Sequence, residues 1–423
     1  MNNMDKKNEN MTIGTYSNRI TLWPEAEIVC ATPEAERRLE LPWVRAHVER
    51  EIGHRLPSGQ NRRPRGVATV PLDEYDVHSF YIGKSGGGKS RAIRQACSAF
   101  MRSGDSLIVF EPKFETFLTM FEVARLAGLP PQSITGISTR LPYVPGFNIL
   151  RSGLPAAKVA TDLADIAIGI SGPVGPRMLQ LAVHLFVLLA VHRLTLLDGV
   201  YMLTDIDNLM AVAARPAPAD IGDDDSLALD LAVAYFTSFS SLGKGERAAI
   251  VAPVITRLSE IARSMFFTAG LGSEECVDIA GMWKEQRVVI VHLDQGTLGT
   301  NGMRLLAGLV SSVLFRSAFR AEGSRRVRLV IDEAATAEAF IGRNITEMLS
   351  VSRSLGLSVQ VACQHLSQLS DELRSALLSQ VAVTLVFGLG HEDARAIASG
   401  ISAGRPSTLR RLVVGQSTIG GAK

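Results

Sequence analysis

The octapeptide Gly83-Lys84-Ser85-Gly86-Gly87-Gly88-Lys89-Ser90 is the stretch that decides the fold of this 423-residue chain. It matches the pattern G-x-x-x-x-G-K-[ST] at every fixed position. An apolar run, Phe80-Tyr81-Ile82, comes directly before it, and residues 90–102 follow with helical periodicity and end before a glycine. A strand, a glycine-rich loop and a helix in this order predict a phosphate-binding loop.

Each residue type in the octapeptide has a physical role in holding a nucleotide. The glycines let backbone N–H groups point inward around the α- and β-phosphates, and the helix N-terminus adds partial positive charge. Lys89 is expected to reach the β- and γ-phosphate oxygens, and the Ser90 hydroxyl is expected to ligate Mg²⁺. We therefore predict that residues 83–90 bind ATP with Mg²⁺.

A second segment, Arg328-Leu329-Val330-Ile331-Asp332-Glu333, is an apolar strand that ends in two carboxylates. Asp332 is predicted to hold the Mg²⁺ ion, directly or through water, and Glu333 to polarise the attacking water. Two acidic residues after a strand are common in proteins, so this pair acquires its meaning from the phosphate-binding loop in the same chain. Together the two segments predict an ATPase.

Two further side chains are candidates for a catalytic role. Gln364 follows a buried strand at its C-terminal end, where ligands of open α/β sheets bind, and its amide is placed to sense the γ-phosphate or orient water. The alternative for Gln364 is a local hydrogen bond at a helix start. Arg353 is a candidate arginine finger for a neighbouring subunit's phosphate, and its alternative is an ordinary surface arginine.

Strand and helix patterns alternate on both sides of these motifs. The predicted strands are listed here: residues 80–82, 106–110, 288–293, 327–331, 357–363 and 381–387. Because alternating strands and helices favour a parallel sheet, we predict a doubly wound α/β core formed by residues 76–153 and 281–423. Ala- and Leu-rich segments predict an all-α insertion at 154–280, in which 215–226 is expected to be a solvated loop. Residues 1–75 are expected to be a small appendage, with a strand near 20–22, a helix over 34–51 and a loop over 57–65.

The composition narrows the functional classes. The chain has 44 Lys and Arg against 42 Asp and Glu, a net charge of +2, so no bulk positive field drives nucleic-acid binding and any DNA site must be local. The four cysteines lack paired spacing and fit a reducing compartment. The strongest membrane candidate, residues 178–192, is shorter than a span and is predicted to be a buried helix. We therefore expect a cytoplasmic protein without stable membrane insertion.

Taken together, these segments resemble the FtsK/HerA class of P-loop motor ATPases, and within it the coupling proteins of conjugation and type IV secretion. The resemblance covers residues 78–400. Its marks are His78, Glu111-Pro112-Lys113, Phe147-Asn148-Ile149-Leu150, Val330-Ile331-Asp332-Glu333 and the segment from Arg353 to Gln364. Two positions depart from the family pattern: Glu111 stands where Asp is common, and Ile149-Leu150 replaces a continuation that contains proline.

The resemblance implies a RecA-like fold with an all-α insertion, a homo-hexameric ring with nucleotide at the subunit interfaces, and movement of DNA driven by ATP. It also implies partners such as a relaxase, a nuclease or a secretion-system protein. A rival hypothesis is a nucleotide-gated scaffold that recruits a protein partner without pumping DNA, and the near-neutral charge favours it. A third hypothesis, an ABC transporter ATPase, is opposed by the lack of a Leu-Ser-Gly-Gly-Gln-type signature before Asp332.

Overall fold

A computed structural model describes residues 19–22, 68–169, 172, 175–334 and 345–402. The helix expected at 34–51 and the loop expected at 57–65 lie outside these ranges. The expected strand near residue 20 is β1, Arg19–Leu22, which pairs antiparallel with β2, Ala68–Pro71. These two strands form a small sheet of their own.

The main sheet has seven strands, and every pairing in it is parallel. Its strands are β3 (Ser79–Gly83), β4 (Ser106–Glu111), β5 (Ile134–Ile137), β6 (Val288–His292), β7 (Val327–Ile331), β8 (Leu357–Cys363) and β9 (Val383–Phe387). Their order across the sheet is β5-β6-β4-β7-β8-β3-β9. The sequence patterns predicted six of the seven. They missed β5, which lies at the sheet edge and has only four residues, one of them Gly136, so it leaves a weak apolar pattern.

Helices make up most of the remaining regular structure. Those before β6 are α1 (Lys89–Arg102), α2 (Phe114–Leu126), α3 (Ala156–Leu163), α4 (Pro176–Val191), α5 (Leu196–Thr204), α6 (Ile206–Ala213), α7 (Asp223–Ser240), α8 (Lys244–Ala262) and α9 (Met265–Gly272). Those after β6 are α10 (Gln295–Ala318), α11 (residues 345–351), α12 (Asp371–Gln380) and α13 (His391–Ser402). The predicted doubly wound, parallel α/β fold is confirmed.

The sheet is covered on both faces, which explains why its strands are mostly apolar and buried along almost their whole length. Along β4, Leu107 and Val109 join the hydrophobic core formed with α1 and α2, whereas Ile108 and Phe110 join the core formed with α10 and the helices of the 156–272 region. Strands buried on both sides lose the alternation of apolar and polar residues that marks a half-exposed sheet. Because the strands are all parallel, their carboxyl ends, which carry the motif residues, lie along the same edge of the sheet.

The segment 215–226, expected to be a solvated loop, is partly helical. Asp223, Asp224 and Asp225 form the first turn of α7, where their negative charge faces the positive end of the helix dipole. The Asp225 carboxylate also accepts a hydrogen bond of 2.7 Å from the backbone N–H of Ala156, at the start of α3. The prediction was wrong for these residues because an acidic run at a helix start has the composition of a loop.

Two apolar helices bear on the question of the membrane. Residues 178–191 of the predicted run lie in α4, most of whose residues are buried in the protein, as predicted. Among the described residues, α10 is the one helix whose length and composition would suffice to cross a membrane, and 67% of its most apolar stretch is buried inside the protein. The prediction that 178–192 is the strongest membrane candidate was therefore wrong, because α4 is too short.

A buried arginine in β7 joins three parts of the chain at the sheet edge opposite the motif residues. Arg328 is 2% exposed, and it donates hydrogen bonds to Asp105 Oδ2 at 2.5 Å, Asp76 Oδ1 at 2.9 Å and the Tyr75 carbonyl at 3.0 Å. Its guanidinium also lies 4.0 Å from the centre of the Phe100 ring. A buried charge is tolerated only when it is paired and hydrogen-bonded, and these contacts meet that requirement. The sequence patterns did not indicate this network.

Candidate nucleotide site

The phosphate-binding loop connects β3 to α1 and rests against the end of β9. Gly83 has φ of +154°, and a Cβ at this position would overlap the carbonyl oxygen of Phe387. The Lys84 N–H donates a hydrogen bond of 3.1 Å to the Gly388 carbonyl. The first glycine of the motif is therefore required by a close backbone approach, in addition to any role in binding phosphate.

Lys89 lies at the start of α1 with its side chain turned into the loop. The residue is 8% exposed, and its ammonium donates hydrogen bonds to the carbonyls of Gly83 and Lys84, the latter at 3.1 Å. Burial lowers the pKa of Lys89, and the negative charges of Glu333 and Asp332 oppose that shift. The cation is thus held by loop carbonyls and feels the charge of both Glu333, the predicted catalytic carboxylate, and Asp332, the predicted Mg²⁺ ligand.

Ser90 and Asp332 meet at the edge of the sheet, as the proposed Mg²⁺ site requires. Burial is the main cause that raises the pKa of Asp332; the neighbouring Ser90 hydroxyl opposes this shift as a hydrogen-bond donor, and the charge of Glu333 adds to it. Asp332 Oδ1 is buried and has no hydrogen-bond partner among the described residues. A buried carboxylate oxygen with a free lone pair beside a hydroxyl is a donor set that suits Mg²⁺.

Glu333 and Gln364 are joined directly, although they are 31 positions apart in the chain. The Gln364 Nε2 group donates a hydrogen bond of 3.0 Å to Glu333 Oε2. The two residues follow β7 and β8, which are neighbours in the sheet, so their side chains emerge side by side. The backbone N–H of Gln364 also bonds to Gln368 Oε1 at 3.1 Å, so the local hydrogen bond considered as the alternative is present as well.

Arg353 lies in a 3₁₀ turn, Ser352–Leu355, immediately before β8. Its side chain lies outside the described part of the protein, so the arginine-finger prediction stays a prediction.

Glu111, one of the family marks in the sequence, lies near Asp332 in the structure. It ends β4, next to β7 in the sheet, is 2% exposed and accepts a hydrogen bond of 3.1 Å from the backbone N–H of Lys113. Burial, reinforced by the negative charge of Asp332, raises the pKa of Glu111 to about 8. An acidic residue at the end of a predicted strand was a signal that could have indicated a role for Glu111 in the site. The sequence did not show that β4 and β7 are neighbours in the sheet, which places Glu111 near Asp332.

The raised pKa of Glu111 leads to a prediction about stability. The pKa of Glu111 is about 8 in the native state, against an ordinary value of 4.5. Between these two values the unfolded chain loses the proton of Glu111 while the native protein keeps it, so the free energy of unfolding falls as pH rises. In the presence of EDTA, Glu111→Gln should therefore stabilise the protein more at about pH 8.5 than at about pH 6, by roughly 2 kcal/mol. Thermal unfolding at both pH values measures this difference.

Glu115→Gln, an exposed glutamate in α2, is the matched control and should show no such dependence on pH. A gain from Glu111→Gln that is equal at the two pH values would contradict burial as the cause of the raised pKa.

Two other family marks have structural roles away from the catalytic carboxylates. His78, 1% exposed, precedes β3 with φ of +118°, and its Nδ1 atom accepts a hydrogen bond of 3.0 Å from the Val359 N–H in β8. Asn148 precedes the 3₁₀ turn Ile149–Arg151, and its Oδ1 atom accepts a hydrogen bond of 3.1 Å from the Leu150 N–H. Asn148 also lines a cavity of about 150 Å³ near α10, whose lining residues do not include the nucleotide-site motifs.

Comparison with known proteins gives one family match. Residues 326–403 match the family described as the TraM recognition site of TraD and TraG. The matched segment includes β7, β8 and β9, and hence Asp332, Glu333 and Gln364. No curated protein matches the chain.

Solved structures resemble the whole fold at low sequence identity. The bacterial conjugative coupling protein TrwBdeltaN70 in its unbound monoclinic form is 16% identical, with a TM-score of 0.52 over 79% of this chain and 74% of that one. Its trigonal form in complex with sulphate is also 16% identical, with a TM-score of 0.53 over 90% and 83%. VirB4 of Thermoanaerobacter pseudethanolicus is 15% identical, with a TM-score of 0.50 over 81% and 87%. These matches confirm the resemblance drawn from the motifs: the chain has a fold like that of the conjugative coupling proteins, and its residues 326–403 match the TraM recognition site of TraD and TraG.

Proposed function

We propose that this protein hydrolyses ATP and uses the reaction to move or couple DNA in conjugation or type IV secretion. The observation that carries the proposal is the convergence of a cation, a hydroxyl, two carboxylates and an amide at one sheet edge, contributed by Lys89, Ser90, Asp332, Glu333 and Gln364. Phosphoryl transfer requires mainly positioning and charge stabilisation, and these groups supply both. The family match and the fold similarity to a conjugative coupling protein support the biological setting.

Each residue has a defined task in this proposal. Residues 83–88 hold the phosphates with backbone N–H groups, and Lys89 leaves the loop carbonyls to contact the β- and γ-phosphates. Ser90 and Asp332 hold Mg²⁺, which when bound neutralises charge on the phosphate oxygens. Glu333, oriented by the Gln364 amide, accepts a proton from the attacking water. The free oxygen of Asp332 supports this assignment.

The assembly and its partners are part of the proposal. We propose a homo-hexameric ring in which Arg353 reaches the nucleotide of the neighbouring subunit, and a cytoplasmic location. In our proposal the core comprises residues 76–153 and 281–423, residues 154–280 form the helical insertion, and residues 1–75 form the appendage. The described helices α3 to α9, which span 156–272, support this division. A relaxase, a nuclease or a secretion-system protein is the expected partner.

A nucleotide-gated scaffold is the second candidate function. The net charge of +2 supports it, because proteins that bind DNA gain much of their affinity from basic residues that contact phosphates, and this chain has no large excess of them. The match of residues 326–403 to a segment named for recognition of a protein also supports it. In this alternative, hydrolysis times the release of a protein partner and moves no DNA.

Measuring ATP turnover with and without DNA separates the two functions. A motor should be stimulated several-fold by double-stranded or single-stranded DNA, and the stimulation should weaken as salt rises because phosphate contacts are screened. ATP binding measured in parallel shows whether the site is intact. Intact binding without stimulation by either form of DNA would contradict the motor and favour the scaffold.

A further inference from the structure

Residues 387–393, which run from the last residue of β9 into the first turn of α13, contact both the phosphate-binding loop and the residues that follow Gln364. At its start, Phe387 and Gly388 support the phosphate-binding loop: Phe387 packs against Gly83, and the Gly388 carbonyl accepts the hydrogen bond from Lys84. The Phe387 side chain also lies 3.2 Å from the position that a Cβ on Gly87 would occupy. The phosphate-binding loop therefore packs against the end of β9.

The other end of the same segment contacts the residues that follow Gln364. Asp393, in the first turn of α13, accepts a hydrogen bond of 3.2 Å from the Leu366 N–H and lies 3.3 Å from His365 Nδ1. Its side chain is only 12% exposed. These contacts fix the backbone immediately after Gln364, the residue whose amide is bonded to Glu333. The polar contacts of Asp393 are with His365 and Leu366, the two residues that follow Gln364, so we expect any catalytic effect of Asp393 to act through Gln364.

We infer that residues 387–393 are a clamp that sets the position of the Glu333–Gln364 pair relative to the phosphate-binding loop, with Asp393 as its positioning residue. The inference rests on the proposed ATPase function and adds to it a residue outside the sequence motifs. Asp393 is only five positions after Gly388, and α13 begins within that stretch, with the Ala394 N–H bonded to the Gly390 carbonyl at 2.9 Å. So short a connection leaves little freedom between the two contacts. Misplacing a catalytic group by about 1 Å can cost as much as 100-fold in rate.

Three single variants test the clamp in the full-length protein. Asp393→Ala removes both contacts and should lower kcat about tenfold while leaving KM for ATP nearly unchanged. Asp393→Asn keeps an oxygen that can accept from Leu366 and should restore most of the activity. Glu392→Ala is the matched control, because this exposed neighbour has the same charge and lies in the same helix turn. A loss equal in Asp393→Ala and Glu392→Ala would overturn the inference, since it would reflect the helix terminus alone.

A double-mutant cycle with Gln364→Ala tests the route of the effect. If Asp393 acts through Gln364, adding Asp393→Ala to Gln364→Ala should produce little further loss in kcat, because interacting residues are not additive. The full tenfold loss in both backgrounds would overturn the inference, because it would show that Asp393 acts independently of Gln364. Melting temperatures of the same variants distinguish loss of positioning from loss of folded protein.

Hydrogen exchange provides a measurement that does not depend on turnover. The amides of residues 364–366 should exchange faster in Asp393→Ala than in the wild type and in Glu392→Ala, because the Leu366 N–H loses its acceptor. If the wild-type protein fails to hydrolyse ATP, the proposed function fails, and exchange alone then decides whether Asp393 holds this segment. Unchanged exchange at 364–366 would overturn the clamp even if ATP is hydrolysed.

Discussion

Glu333→Gln is expected to lower ATP turnover at least about 100-fold, the effect of removing a general base, while ATP binding is retained. The side chain keeps its shape, and its amide oxygen can still accept the hydrogen bond from Gln364 Nε2. Lys89, Ser90 and Asp332 are untouched, so the groups that hold phosphate and Mg²⁺ remain. What the variant loses is the carboxylate that accepts the proton of the attacking water.

The measurement compares steady-state ATP turnover with equilibrium binding of a fluorescent ATP analogue. Glu372→Gln, an exposed carboxylate in the first turn of α12, is the matched control and should behave as the wild type does. Undiminished hydrolysis in Glu333→Gln would refute the role assigned to Glu333. Loss of binding together with turnover would instead indicate that Glu333 holds the nucleotide.

Gly83→Ala is expected to displace the phosphate-binding loop and to abolish tight ATP binding. A methyl group at this position would overlap the Phe387 carbonyl, and the φ of +154° is one that residues other than glycine rarely adopt. Overpacking of this kind costs about 1–3 kcal/mol, and an unfavourable backbone conformation costs about as much again. The loop can avoid the overlap only by leaving the end of β9, which also moves Lys84 and Lys89.

Two other glycines separate these contributions. Gly86 has φ of +79° but open space around it, so Gly86→Ala should show the backbone cost alone and a smaller fall in melting temperature. Gly243, which precedes α8, has neither constraint, so Gly243→Ala should be nearly neutral. Thermal unfolding and ATP binding of the three variants provide the measurements. Equal effects at Gly83 and Gly86 would contradict the contact with Phe387.

The strands around the motifs could be predicted because the signal is local. The run 357–363 is mostly apolar, with Ser358 and Gln360 as its polar positions, and the same bounds are found for β8 in the structure, where all seven residues are buried. Burial on both faces produces this pattern whatever the neighbours of the strand are. The acidic turn at 223–225 and the short strand β5 were missed, because the composition of such segments is shared by loops.

The sequence by itself determined the type of site, since the loop 83–90 and the pair Asp332-Glu333 carry their chemistry in residue type and spacing. The tertiary structure decided which groups meet: Gln364 with Glu333, Glu111 beside Asp332, and Phe387 beneath Gly83. The physical reason is that periodicity reports which faces of a segment are buried, whereas strand order depends on pairing between distant segments. β3 and β8, for example, are neighbours although their bonded residues Ser79 and Gln360 lie 281 positions apart.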